Sequence, residues 1–209
     1  MEGSAGRLIV FEGVDAAGKT TLCDDLCRTL EGKQLPVRRF HFPGMTPGTL
    51  GELVYRVHHY HADHFGIPTV DPCALQLLHI AAHVDIIEST IKRSVVRGDW
   101  VVLDRFWWST YVYGVASGVS EVALKFMINV EKSVWGAVVP DVLLLIDTAS
   151  PLRDDEANCD AWHRKRELYL QMVEAEGDIY PCSVIQTAEG EEGKNRAAEV
   201  ILRKVLNWT

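Results

Sequence analysis

One segment near the N-terminus has the residue types and the spacing of a phosphate-binding loop. Residues 13–20 fit the pattern G-x-x-x-x-G-K-[ST] in full. In such a loop Gly13 and Gly18 let the backbone curl so that its N–H groups point at phosphate. Lys19 is then expected to reach the β- and γ-phosphates of a nucleoside triphosphate, and the Thr20 hydroxyl to ligate Mg²⁺. The residues expected to bind the triphosphate are Gly13, Ala16, Ala17, Gly18, Lys19, Thr20 and Thr21.

The segments that flank this loop are predicted to be a strand and a helix. Residues 8–11 form an apolar run directly before the loop, which is typical of a buried strand. After the loop, apolar residues recur at positions 22, 23, 26, 27 and 30, the spacing of a helix with one buried face. An ordinary glycine turn needs neither this setting nor the Lys-Thr pair. The pattern therefore predicts a nucleotide site, without indicating what the nucleotide is used for.

A second chemical signal follows the apolar run at residues 100–103. Asp104 and Arg105 come at the carboxyl end of this predicted strand, where a carboxylate can accept from a Mg²⁺-bound water and a guanidinium can hold an acceptor phosphate. The alternative is an ion pair that caps the next helix, which the upstream phosphate loop makes the weaker interpretation. The adjacent aromatic residues suit either the core or a base-stacking surface; they are Trp107, Trp108, Tyr111 and Tyr113.

A third signal follows the apolar run at residues 142–146. An exposed segment at about residues 148–160, with Arg153, Asp154, Asp155 and Glu156, precedes a helix with the basic run 163–166. A basic lid that closes on a nucleotide would keep water from the phosphoryl group. For any single arginine here, a solvated charged helix face is an equally good interpretation.

Histidines and a proline-rich loop are weaker candidates. Residues 42–48 are expected to form a loop that approaches ligand with its backbone. A long helix is predicted over residues 72–97, with Gln76, His79 and His83 on one stripe. For the two histidines alone an ordinary structural role is favoured. The histidine-rich run 58–64 lacks the ligand spacing of a metal site and is interpreted as a polar helix end.

Length and composition predict a single α/β domain over residues 1–209. The alternation of apolar runs and helical segments predicts a parallel central sheet of about five strands, with helices on both faces and a short lid. A net charge of −8 disfavours a nucleic-acid partner. No signal peptide or membrane span is expected, and the five cysteines, at 23, 27, 73, 159 and 182, look like reduced core thiols of a cytoplasmic protein.

With these motifs in order, the chain resembles the thymidylate kinases, P-loop nucleoside monophosphate kinases that phosphorylate dTMP with ATP and Mg²⁺. Residues 11–21 are similar to the family's phosphate loop, and residues 104–109 to its Asp-Arg-Tyr motif. The resemblance implies that Asp15 meets the acceptor sugar and the metal's surroundings, that Arg105 binds the acceptor phosphate, and that Tyr113 lies under the deoxyribose. Arg153 fits the lid pattern, and the family's members are commonly homodimers.

The departures from the family pattern concern the acceptor base. Family members usually carry an arginine beside the proline after the second strand, where this chain has His41, Phe42, Gly44 and Met45. On the long helix, His79 and His83 replace a phenylalanine that stacks on thymine and an arginine that reads its carbonyl. A histidine lacks the fork of arginine. The aromatic-Ser-Thr run at 107–110 is shared with mitochondrial-type UMP/CMP kinases, so the base stays open.

These features predict an ATP-dependent phosphotransferase that acts on a pyrimidine nucleoside monophosphate, with dTMP as the first choice. The alternatives are another acceptor (UMP, CMP, dUMP, a nucleoside or a modified nucleotide) and a nucleotide-binding module without transfer activity. The predicted catalytic residues are Lys19, Arg105, Asp15 and Arg153, and the predicted metal residues are Thr20 and Asp104. The predicted substrate-binding residues are Asp15, Phe42, Pro43, His79, His83, Arg105, Ser109 and Tyr113.

Overall fold

The computed structural model describes residues 6–153 and 160–206. The acidic lid residues at 154–156 and the thiol of Cys159 lie outside the described residues. Among the residues described, every helix falls short of the length and apolarity needed to cross a membrane.

The centre of the fold is a five-stranded sheet in which every neighbouring pair is parallel, as predicted. The spatial order of the strands is β2-β3-β1-β4-β5. The strands are β1 (Arg7–Glu12), β2 (Val37–His41), β3 (Trp100–Asp104), β4 (Val142–Asp147) and β5 (Cys182–Gln186). All six residues of β4 are buried, and successive side chains point to opposite faces, so helices cover both faces of the sheet.

Eight α-helices connect and cover these strands in the described part of the chain. They are α1 (Lys19–Gly32), α2 (Leu50–Phe65), α3 (Pro72–Ile86), α4 (Lys92–Arg97), α5 (Trp107–Ala116), α6 (Glu121–Trp135), α7 (Asp160–Glu176) and α8 (Gly190–Leu206). The predicted long helix is helical from 72 to 97, but a π-helical turn at Ile87–Ile91 separates α3 from α4. The last helix begins at Gly190.

The first helix packs its apolar stripe against the sheet as the spacing predicts. Leu22, Leu26 and Leu30 are buried, and Cys23 and Cys27 are free thiols on the same buried face. Burying such a stripe is the main source of helix stability in a folded domain. This packing anchors the helix whose first turn carries Lys19 and Thr20.

Strand order brings the two main motifs together. Because β1 lies between β3 and β4, the phosphate loop that follows β1 emerges beside the residues that follow β3. In the β1–β3 ladder Phe11 is opposite Asp104, and the Arg105 amide donates to the Phe11 carbonyl at 2.8 Å. Ligands of open parallel sheets bind at such carboxyl ends, so the topology itself assembles a site from segments about 90 residues apart.

Candidate active site

The backbone of the phosphate loop requires glycine at two positions. Gly13 has φ +139°, and a Cβ added there would lie 2.3 Å from the Ile146 carbonyl oxygen, so a larger residue does not fit. Gly18 has φ +90° and directly precedes α1. The Leu152 amide donates to the Ala16 carbonyl at 2.8 Å and fastens the loop to the segment after β4. The result is a preformed concave loop at a helix N-terminus, which suits an anion.

Lys19 crosses back over this loop. Its Nζ donates to the Val14 carbonyl oxygen at 2.7 Å, and only 5% of the residue is exposed. Burial lowers the pKa of Lys19, and the charge of Arg105 lowers it further, to about 8, although Asp15 and Asp104 act in the opposite direction. The ammonium group is therefore held in place, but its positive charge is only partly balanced by the nearby carboxylates. This is expected of a group that binds a polyanion.

Thr20 and Asp104, the predicted metal residues, lie in direct contact. The Thr20 hydroxyl donates to Asp104 Oδ2 at 2.9 Å. Burial tends to raise the pKa of Asp104, but the hydrogen bond and charge of His41 and the charge of Lys19 hold it down to about 2. Within the described residues, the other carboxylate oxygen, Oδ1, is buried without a hydrogen-bond partner. An ionised carboxylate with an orphaned oxygen beside a hydroxyl is a donor set that fits Mg²⁺.

Arg105 bridges the two motifs. Its guanidinium forms an ion pair with Asp15, donates to Ser109 Oγ at 3.1 Å, and lies 5.3 Å from the centre of the Tyr113 ring. Although burial opposes charge on both partners, Arg105 and Lys19 hold the pKa of Asp15 well below its usual range. Arg105 also has φ +76°, an uncommon conformation for a residue with a side chain. These partners keep the guanidinium at the edge of the cavity. The alternative interpretation, an ion pair between Asp104 and Arg105 that caps the next helix, is therefore not what the structure shows.

Glu12, which the sequence analysis did not single out, caps α5. Its Oε1 accepts from the Phe106 and Ser109 amides at 2.8 and 2.9 Å, and its Oε2 accepts from Ser109 Oγ at 2.8 Å. Burial raises the pKa of Glu12, partly offset by the charge of Arg105 and the hydrogen bonds from Ser109. The sequence did contain a signal for this role, because Glu12 is a carboxylate at the end of an otherwise apolar strand. A carboxylate that is fully buried needs several hydrogen-bond partners.

A cavity of about 680 Å³ collects most of the predicted site residues. All eight predicted substrate-binding residues line it, as do Ala16, Gly18, Lys19, Thr20, Thr21, Asp104 and Arg153. Gly13 and Ala17 lie behind this surface, since Gly13 contacts the Ile146 backbone and Ala17 is fully buried. The structure thus brings the phosphate loop, the Asp-Arg motif and the long helix to a single cavity.

The aromatic patch divides between the core and the cavity. Trp107 and Trp108 are buried core residues, and the Tyr111 hydroxyl donates to Glu121 on α6. Tyr113 alone of the four lines the cavity, and its hydroxyl donates to the Asp15 carboxylate. The core interpretation therefore holds for the two tryptophans, and base stacking by Tyr113 stays a prediction.

Histidines form much of the opposite wall. His58 and His59 of α2 line the cavity with His79, although the sequence analysis assigned run 58–64 to a polar helix end. His79 Nε2 lies 3.3 Å from His58 Nδ1. Burial and the neighbouring histidines lower the pKa of His79 to about 2 and that of His58 to about 4. Both rings are consequently neutral near pH 7 and present polarisable surfaces rather than cations.

Among the described residues of the third signal, Arg153 and Arg166 lie in different surroundings. Arg166 of α7 makes a two-pronged ion pair with Asp147, at 2.6 and 2.8 Å, and is thereby held at the end of β4. Arg153, by contrast, lines the main cavity. The charged-surface interpretation thus fails for Arg166, whose partner is a buried carboxylate.

A second, smaller cleft of about 380 Å³ opens beside the phosphate loop. Gly18, Thr21 and Leu152 contribute to both cavities, and the far wall is the turn between β5 and α8, residues 187–190. Sequence reasoning missed this cleft because its lining residues come from separate segments and form no recognisable motif. It is adjacent to the helix N-terminus that is expected to bind phosphate.

A parallel five-stranded sheet with a phosphate loop after β1, facing a cation after β3, defines the class of P-loop phosphotransferases. The family model for thymidylate kinase matches residues 11–175. A thymidylate kinase of Burkholderia lata is 31% identical over 189 residues, which span 82% of this chain and 85% of that protein. The chain therefore belongs to the thymidylate kinase family, a family of nucleoside monophosphate kinases.

A solved structure has the same fold. The crystal structure of thymidylate kinase from Ehrlichia chaffeensis matches with a TM-score of 0.73 and 22% identity, covering 96% of this chain and 99% of that chain. At this identity the likeness concerns the fold alone. It extends over nearly the whole length of both proteins.

Replacing Glu12 by leucine tests the capping role. We expect Glu12→Leu to lower the free energy of unfolding by about 1–3 kcal/mol, because the Phe106 N–H group loses its acceptor and the Ser109 N–H group keeps only the Phe106 carbonyl. Urea unfolding followed by circular dichroism measures the change. Glu12→Gln, which keeps an acceptor oxygen for the two amides, is the matched control and is expected to lose less. Equal stability of Glu12→Leu and the unaltered protein would contradict the assignment.

Proposed function

We propose that the protein transfers the γ-phosphoryl group of ATP to the phosphate of a pyrimidine nucleoside monophosphate, with dTMP as the first acceptor. The observation that carries this proposal is that Lys19 and Arg105 line one cavity, with Asp15 paired to the arginine. One cation belongs to the loop that is built for the donor triphosphate. The other emerges from the neighbouring strand and is available to the acceptor phosphate.

The donor is proposed to span the two cavities. Its phosphates lie in the loop, and its adenine occupies the second cleft, against the turn 187–190. Gly18 and Thr21 support this arrangement because they line both cavities. A base in the second cleft leaves the part of the larger cavity beyond the phosphate loop to the acceptor.

The mechanism relies on position and charge. The acceptor phosphate attacks the γ-phosphorus in line, and no general base is required because a phosphate oxygen is already anionic. Lys19 stabilises the charge on the transferring group, Arg105 orients the acceptor, and Arg153 adds charge from the segment after β4. Tyr113 and Asp15 contact the acceptor sugar.

Thr20 and Asp104 are proposed to hold Mg²⁺. When bound, this ion neutralises charge on the phosphates of the donor. The described residues include no cluster of three or more side chains arranged to bind a metal. Mg²⁺ commonly takes one or two protein ligands and completes its shell with phosphate and water. Two side chains are therefore an adequate protein contribution.

A cytoplasmic location is part of the proposal. Cys23, Cys27, Cys73 and Cys182 are free thiols. Free thiols are the normal state of cysteine in the reducing cytoplasm. Recovery of the protein in a membrane or secreted fraction of its host would contradict this assignment.

Removing the ammonium group tests the transfer reaction. We expect Lys19→Ala to lower kcat by roughly 100- to 1,000-fold, the usual loss for a preorganised electrostatic contact. Phosphate transfer from ATP to dTMP, dUMP, UMP, CMP and thymidine is the measurement, with the exposed Lys125→Ala as control. Unchanged turnover in Lys19→Ala would exclude the role of this lysine, and activity on thymidine alone would exclude a monophosphate acceptor.

The lowered pKa of Lys19 makes a pH-dependent prediction. With a pKa of about 8, most of these amines are neutral at pH 8.5 in the empty site, and a bound polyphosphate favours the charged form. We therefore expect ATP binding to take up more than half a proton at pH 8.5, but only about a tenth at pH 7. Calorimetry in buffers of different ionisation enthalpy measures this uptake. Lys19→Met is expected to abolish it, and equal uptake in that variant would assign the proton elsewhere.

We further propose that the protein is a homodimer that pairs through α6. Val122, Phe126 and Val130 are 64%, 72% and 53% exposed and, at four-residue spacing, form one apolar stripe. Exposed apolar patches of this kind mark association surfaces. Phe126→Glu is expected to yield a folded monomer in analytical ultracentrifugation, whereas Val96→Glu, at an 83% exposed valine of α4, remains dimeric. A monomeric unaltered protein at micromolar concentration would overturn the proposal.

A further inference from the structure

Two polar side chains in the lining of the larger cavity make no hydrogen bond to the described part of the protein. Gln76 of α3 is 5% exposed and Thr110 of α5 is 3% exposed, and both line the cavity. Across the described ranges 6–153 and 160–206, no hydrogen bond involves either side chain. Neither residue is among those whose polar atoms are fully buried without a partner, so the amide and the hydroxyl are open to the cavity. An amide and a hydroxyl on two packed helices that bond to no described protein group are available to a ligand in this cavity.

His83 supplies a third polar atom with a fixed orientation. Its Nδ1 lies 2.8 Å from Glu131 Oε2, in a pair that is 3% and 0% exposed. A carboxylate only accepts, so Nδ1 carries a proton, and Nε2 is the ring nitrogen left for a ligand. Phe42 stacks on the ring at 4.0 Å with an angle of 16° between the planes, which prevents the imidazole from turning.

The base of the acceptor is the group expected to reach these atoms. This step rests on the proposed function, in which Arg105 binds the acceptor phosphate and Tyr113 contacts its sugar. The remaining part of the nucleotide then extends along the cavity toward α3, where Gln76 and His83 lie on one helical stripe. Thr110 approaches from α5, the helix that also carries Tyr113.

We propose that Gln76, Thr110 and His83 read the edge of the acceptor base and that the site accepts cytosine as well as thymine and uracil. Thymine and uracil present an acceptor at position 4 and a donor at N3, whereas cytosine presents the reverse. An amide offers both a donor and an acceptor and can rotate to exchange them, and a hydroxyl also does both. A guanidinium only donates and would favour the keto bases.

The wild-type protein provides the first test. With ATP fixed, we expect kcat/KM for dCMP to lie within about tenfold of the values for dTMP and dUMP. A preference above about 100-fold for the keto or the amino bases would overturn the inference while leaving the phosphotransferase in place, since sites with a committed hydrogen-bond pattern discriminate by far more than tenfold. Absence of transfer to all three nucleotides would overturn the proposed function and this inference with it.

Shape-conserving variants test the individual groups. Gln76→Leu and Thr110→Val remove hydrogen-bonding capacity with little change in volume. Each is expected to raise the KM of all three acceptors by about five- to tenfold and to leave the KM of ATP unchanged, which also reports that the protein is folded. Asp85→Asn, exposed on the same helix as Gln76, is the matched control. An unchanged acceptor KM in both variants would exclude base reading by these residues.

Glu131→Gln tests His83 through its positioning residue. Trp135 Nε1 donates to Glu131 Oε1 at 3.2 Å, so in the glutamine variant the oxygen stays with Trp135 and the NH₂ group turns to His83. His83 Nδ1 then accepts, and Nε2 changes from an acceptor to a donor in the neutral ring. We expect the ratio of kcat/KM for dTMP to that for dCMP to change by about tenfold. If Glu131 is purely structural, the substitution lowers kcat/KM for dTMP and for dCMP by the same factor. An unchanged ratio would therefore exclude His83 from the residues that read the base.

Discussion

The ion pair between Asp15 and Arg105 is the interaction on which the site depends. It joins the phosphate loop to the residue that follows β3, and so fixes the distance between the two halves of the reaction centre. Lys19 and Arg105 are both mostly buried cations, and Asp15 is one of the carboxylates, with Asp104, that favour the charged form of each. A partly buried pair is weak support for stability, because desolvation offsets most of the attraction. Its retention is better explained by the anions that the two cations are arranged to meet.

Each of these charges is held by a neighbour from a different part of the chain. Glu12 anchors the first turn of α5 and thereby the backbone around Arg105, while His41 keeps Asp104 ionised. On the opposite wall, burial keeps His58 and His79 neutral. The cavity is thus cationic where phosphate is expected and uncharged where a base is expected. This difference in charge between the two walls follows from the burial and the ion pairing of their side chains. The formal charges of the residue types alone do not predict it.

Local patterns were sufficient to predict the parallel sheet, the phosphate loop and the pairing of loop and Asp-Arg motif at one edge. Each of these features is encoded in a short segment with a characteristic period or spacing. Glu12 was missed because its partners, Phe106 and Ser109, lie more than 90 positions away. His58 and His59 were assigned to a helix end because periodicity does not report how α2 packs on α3, where the His58 ring meets that of His79. The second cleft is assembled from three separate segments of the chain, and a local motif does not report that they come together.

Leu152 has a consequence for communication between the two nucleotide sites. Its amide is bonded to the phosphate loop, and its side chain contributes to the walls of both cavities. Any shift of this leucine on binding in one chamber also reshapes the other chamber. The two binding free energies are then linked, and thermodynamics requires such a linkage to be equal in both directions.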